Sequence, residues 1–244
     1  AMIYGTPSHD VEGSLEVFET MECVHRIKIL RPGIAYILKE GKIEELKGNN
    51  DEKAELLLFG IPEPSKRWII ANDIQHGSRD CDISAREAFK MLCIASGCMR
   101  ERYPQLPSIV LAHGQVQGAK TAHNMMLGTG DGIHFSKDDL KALKAEYIAL
   151  GDIHEPQHIE GTRAWYAGSA YPLDFGETHK AGCWIVDIHE PGMPVEVARE
   201  EFNHPTCKHL ICHASCAMEV PSMHGHKVWY EVQGTKEELS LLDS

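Results

Sequence analysis

Apolar residues along this chain gather in short runs, and several runs stop at a glycine flanked by polar groups. Tyr147–Leu150 is unbroken and leads into Gly151, Asp152 and His154. Ser108–Ala112 leads into His113-Gly114, and Met2–Tyr4 leads into Gly5 and then Ser8-His9-Asp10. Apolar runs of this length, closed by turn residues, predict buried strands. Phe89, Leu92, Cys93 and Met99 recur at helical spacing, predicting a helix over 85–102 capped by Ser84 and stopped by Pro104 and Pro107. Ser136 with Asp139 predicts a capping-box start to a second helix over 137–145. Each of these helices precedes a strand with a histidine at or just past its end. That is the crossover parallel strands require, and open α/β sheets bind ligands at the carboxyl edge of such strands.

The remaining pattern is shorter. Leu15–Met21 predicts a helix capped by Ser14, with Val17 and Phe18 turned inward. Val24–Ile29, Ala35–Leu38 and Leu56–Phe59 predict strands, and Lys42–Leu46 a hairpin partner for Ala35–Leu38. Trp165–Ala167, Gly182–Ile188 and Val195–Phe202 continue in strands, the last two as a second sheet. Lys227–Val232 predicts another strand and Lys236–Leu242 a helix. Met2–Tyr4 has no earlier segment to pair with, so the chain is expected to be a piece of a longer protein. The character changes near residue 203, giving a main domain over 1–202 and the start of another over 203–244.

Composition narrows the class. The chain has 244 residues, 43% hydrophobic and 25% charged, in the range of a soluble globular protein. No apolar run approaches membrane-spanning length and no signal peptide is visible, so the expected setting is cytoplasmic with no membrane partner. The eight cysteines are scattered, and reduced thiols are the default. A net charge of −12 argues against a protein that grips nucleic acid by charge alone.

Chemistry enters at the strand ends. Asp152 and His154 are separated by one residue, so in extended structure both face one side. Carboxylate and imidazole are both ligands for a divalent transition metal. A solvated loop would carry the same pair, but three strand ends bearing His and Asp point to one convergent site. His76 reads as a surface histidine in a polar stretch. Cys207, His209, Cys212, His213 and Cys216 lack the paired C-x-x-C spacing of a zinc site and read as a cysteine-bearing strand.

The ordered segments SHD (8–10), AHGQVQGA (112–119), ALGDIHEPQ (149–157) and YAGSAYPLDFGE (166–177) resemble the calcineurin-like metallophosphoesterases. Within these they are most similar to the SbcD-type nucleases of DNA double-strand-break repair, phage relatives included. The family pattern is GNH(D/E), a GH or HG at a strand end, GHxH, and a YSGS-P-FxE-like segment. Ser8 stands where the family has a ligating asparagine, and Asp152 where it has the first histidine of GHxH. The family's upstream DxHxG and GDxxD motifs are not in this chain.

The resemblance implies an α/β (α+β) fold: a two-sheet β-sandwich flanked by helices, short at its N-terminus, with 203–244 opening a capping domain that contacts DNA. It implies metal-dependent phosphodiester hydrolysis with two divalent ions, manganese above all, roughly 3.5–4 Å apart. His113 and Asp152 would serve one ion and His154 the other, with Ser8 at the shared position. His9 would orient the phosphate or protonate the leaving oxygen, and Asp10 would fix its ring. His123 and Ser169 would line the substrate side. Implied partners are DNA ends, an SbcC-like SMC-type ATPase and a second copy of the chain. With the upstream motifs missing, this chain by itself is expected to bind at most one ion weakly and to cleave little. A small-molecule phosphoesterase or a non-catalytic scaffold on the same fold are the alternatives.

Overall fold

The computed structural model describes residues 2–3, 14–22, 24, 26–31, 33–48, 53–61, 81–121, 134–172, 175, 177, 179–203, 207–219 and 225–241. These form a mixed α/β structure dominated by one seven-stranded sheet. In chain order the strands are β1 (Met2–Ile3), β2 (Lys28–Ile29), β3 (Ala35–Lys39), β4 (Lys42–Glu45) and β5 (Leu56–Ile61). Helix α1 (Cys81–Arg102), β6 (Ser108–His113), α2 (Lys137–Ala142) and β7 (Tyr147–Gly151) follow. Then come β8 (Gln157–Ile159), β9 (Ala164–Tyr166), β10 (Gly182–Asp187), β11 (Glu196–Glu201), β12 (Cys207–His213), β13 (Lys227–Gln233) and α3 (Lys236–Ser240).

The large sheet runs β4-β3-β5-β6-β7-β9-β8. Its centre, β5-β6-β7-β9, is parallel, and β3, β4 and β8 add antiparallel edges. The apolar runs form these central strands because both faces are covered or half-covered. One face carries Phe59, Val110, Ile148 and Tyr166 against Phe89 and Cys93 of α1 and Leu140 of α2, and holds the main core. The other face carries a smaller cluster around Leu30, Tyr36 and Leu58. Phe89 meets Phe135 edge to face at 4.7 Å, tying α1 to the residue before the α2 cap. The Ser136/Asp139 capping box forms as its sequence predicts. The helices pack closely enough that a Cβ on Gly97 would sit 2.0 Å from the Ala142 carbonyl oxygen.

Several expectations change. Leu15–Met21 is a 3-10 helix over Glu16–Thr20 whose N-cap is Leu15 rather than Ser14, with no side-chain cap and no buried residue. Val17 is exposed there, because five residues give no face long enough to bury. Glu19 instead reaches across to the Ile29 N–H at 2.8 Å and to Lys28 at 2.9 Å. Strand β2 is two residues long, and Val24 is exposed. Strand β1 pairs in parallel with β2. Helix α1 begins at Cys81, so Ser84 lies inside it. Helix α2 stops at Ala142, where Lys144 turns into the left-handed region (φ 54°). The hairpin of β3 and β4 and the antiparallel pair β10–β11 form as expected. Among the described residues no helix is long and apolar enough to cross a membrane.

Candidate functional site

The parallel register decides which groups meet. His113, the last residue of β6, is the partner of Gly151, the last residue of β7. A Cβ at Gly151 would lie 2.9 Å from His113 Cδ2, so the glycine makes room for the ring. Gly114 N–H donates to the Gly151 carbonyl at 3.2 Å, and the Tyr166 hydroxyl donates to the Gly114 carbonyl at 2.7 Å. Three neighbouring strands thus close one rim. Asp152 follows at φ 100°, a conformation uncommon outside glycine and tolerated best by Asp and Asn. Burial, and then the nearby Asp152 charge, push the Tyr166 phenol far above its usual range. The hydroxyl therefore stays a proton donor.

Asp152 and His154 do not share a strand face. Strand β7 ends at Gly151 and the backbone turns at Asp152, so the alternation argument stops there. His154 instead reaches a second layer of polar groups. Its Nδ1 lies 2.5 Å from Glu177 Oε1. Ser169 N–H donates to the His154 carbonyl at 3.1 Å, and Ser169 Oγ donates to Glu177 Oε2 at 3.2 Å. Gly168 lets the two loops approach: at φ 80°, a Cβ there would sit 2.6 Å from the His154 carbonyl oxygen. His179 Nε2 is 3.0 Å from Ser169 Oγ. The Glu177 and His179 side chains are 2% and 3% exposed, whereas that of His154 is 42% exposed.

The row Ser169–His179–Glu155 has the order of a hydrolase triad, but the protons run the other way. The Ser169 proton goes to Glu177, so His179 Nε2–H donates to Ser169 Oγ. His179 Nδ1 makes no hydrogen bond, and Glu155 Oε2 is 3.6 Å from it, beyond hydrogen-bond reach. The row is a support for Glu177, not a nucleophile with its base. Sequence reasoning marked the FGE segment as a motif but gave Glu177 no role, and it overlooked Glu155 and His179. The one available signal was Glu177-x-His179, a carboxylate and an imidazole at alternate positions.

Ser8, His9, Asp10, His76 and His123 lie outside the described residues. Of the other predicted site residues, the fold brings His113 and Gly151–Asp152 to one rim and latches His154 to Ser169 beside it. The donor chemistry suits a divalent ion, and a carboxylate on the Nδ1 of a histidine is the usual outer contact of a ligating ring. Among the described residues, however, no three His, Cys, Asp or Glu side chains gather to hold a metal ion. The described rim alone is not a complete centre.

The C-terminal cysteines follow the strand reading. Cys207 and Cys212 sit on β12, and both, like Cys216 beyond it, are free thiols. His209 stacks on Trp229 at 4.6 Å and pairs with Glu231 at 3.0 Å. Phe175, two residues before Glu177, meets Trp229 edge to face at 5.8 Å.

Comparison with known proteins adds one finding. The chain is 30% identical over 88 residues to the SbcD subunit of the SbcCD nuclease of Rhodobacter capsulatus. The matched stretch is 34% of this chain and 21% of that relative, about a fifth of its length. No family model matches the chain.

Proposed function

We propose that this chain is the partial catalytic domain of a metal-dependent phosphodiesterase, the nuclease subunit of a complex that works on DNA ends with an SbcC-like SMC-type ATPase. The observation that carries this reading is the single rim made by His113, Gly151–Asp152 and Tyr166, with His154 and Ser169 latched beside it. The stretch of identity to an SbcD nuclease subunit supports it. In the sandwich architecture of calcineurin-like enzymes, β10–β11 belongs to the second sheet. Trp184 Nε1–H donates to the Tyr166 carbonyl at 2.8 Å and ties that hairpin to the rim strand β9. Residues 203–244 then open the capping domain, touching the rim segment through Phe175 and Trp229.

In this reading His113, Asp152, His154 and Ser8 hold the divalent ions, and residues beyond the described rim complete the set. When bound, the ions supply a water of lowered pKa and countercharge for the phosphoryl oxygens. His9 orients the phosphate or gives a proton to the leaving oxygen, Asp10 steadies its ring, and His123 and Ser169 shape the groove. The acidic balance of the chain fits an enzyme whose metals and partner, not its own surface, hold the phosphates. The test is cleavage of linear duplex DNA by the full gene product in manganese. His9→Ala and His113→Ala should each abolish it. Cleavage that persists in both variants, or turnover of bis-nitrophenyl phosphate with no action on DNA, removes the nuclease assignment.

A further inference from the structure

The buried polar groups beside the rim are arranged in sequence, and the order has a consequence for His154. Glu177 is nearly inaccessible, yet its carboxylate meets a ring that is almost half exposed. As an ionised carboxylate Glu177 can only accept hydrogen bonds, and the 2.5 Å contact then calls for the proton on His154 Nδ1. Nε2 is then the nitrogen left without a proton. Free histidine in its neutral form favours the opposite arrangement, with the proton on Nε2.

Glu177 is itself held. Oε2 accepts from Ser169 Oγ, which accepts in turn from the buried His179. Ser169 is anchored through its backbone to the carbonyl of His154, the same residue whose ring Glu177 grips. The loop carrying His154 and the segment carrying Ser169 and Glu177 are therefore joined twice, once by backbone and once by side chains. Gly168 permits that approach, since a side chain there would strike the His154 carbonyl and the Pro156 ring, 2.9 Å from its Cβ. Two rotatable elements, an exposed ring and a loop, are fixed by one carboxylate.

We propose that Glu177 is the positioning residue of this rim: it fixes the His154 ring by Nδ1 so that Nε2 is presented outward as an electron-pair donor, with Ser169 and His179 holding Glu177 in place. The use of that donor in phosphodiester chemistry rests on the function proposed above; the orientation of the ring does not. A residue acting through another in this way leaves a spectroscopic signature that a merely space-filling role would not.

The experiment is nitrogen-15 NMR of the histidine rings in the metal-free chain at mildly alkaline pH, with His154 assigned by comparison with His154→Gln. The expected result is a His154 ring with a protonated Nδ1 and a bare Nε2, reverting to the Nε2–H form in Glu177→Ala. A wild-type His154 with a proton on Nε2, alone or together with Nδ1, overturns the proposal and needs no variant to do so. An Nδ1–H ring that persists unchanged in folded Glu177→Ala also overturns it. The readout uses neither metal nor substrate. The expected tautomer in this chain, alongside a full gene product that leaves DNA intact in manganese, would therefore sink the nuclease reading while upholding the role of Glu177.

Discussion

Two buried glutamates lie at opposite ends of strand β7, and they are put to opposite uses. Glu146 precedes the strand and is 1% exposed. Arg100 grips both its oxygens, at 2.7 and 3.3 Å, and Ser108 adds its N–H at 2.6 Å and its hydroxyl at 2.8 Å. Gly192 N–H closes the set at 2.8 Å. Arg100 and Ser108 are buried and Gly192 reaches in from the surface turn, so the charge holds α1, β6 and the β10–β11 turn together. Glu177, beyond the other end, directs its charge to a ring that faces outward. Enclosure is the difference: a carboxylate saturated from inside the fold is structural, and one that passes its hydrogen bond to an exposed imidazole is placed to serve a site.

The largest expected effect tests the structural end. Glu146→Ala leaves Arg100 buried without its partner and should cost about 3–5 kcal/mol in urea unfolding. A cost near zero would remove the contrast. The same group sets an acid dependence. Burial alone would raise its pKa, but Arg100, Gly192 and Ser108 outweigh burial and hold it below its ordinary value. A depressed folded pKa means the stabilisation is full above about pH 4.3, the unfolded value, and is lost as pH falls through the folded one. Stability measured against pH should therefore decline on acidification, and more shallowly in Glu146→Gln.

A smaller loss is expected from Gly97→Ala, one turn before Arg100. The added methyl meets a backbone carbonyl that cannot swing aside, and overpacking of this kind costs about 1–3 kcal/mol. At the other end, Glu177→Ala should cost about 1–3 kcal/mol, because the ring it releases can reach water. Its effect on the rim should outrun its effect on stability, and a stability loss equal to that of Glu146→Ala would erase the distinction. Ser169→Ala should be smallest, about 1 kcal/mol by thermal or urea unfolding.

Much of the fold was legible because the central strands are continuous apolar runs. Ser108–His113 and Tyr147–Gly151 appear within a residue of where periodicity places them, and their parallel pairing follows from the helix before each. Some short elements were not legible. Glu16–Thr20 has the right residue types, but its course is set by Glu19 reaching Lys28 and Ile29, a tertiary contact no local pattern records. Part of the site was legible from the glycines beside His113 and Asp152. The support beneath His154 was not, because Glu177 and His179 look like ordinary loop residues until chain closure buries them. The alternation drawn from Asp152 to His154 failed for a local reason: one left-handed residue breaks the period of two.

The most direct test of the rim as a metal-binding phosphodiesterase site is calorimetric titration of manganese into this chain. One weakly held ion per chain at most is expected, with uptake lost when His113→Ala and His154→Ala are combined. Two tightly held ions per chain, or uptake untouched by the double substitution, would contradict the account.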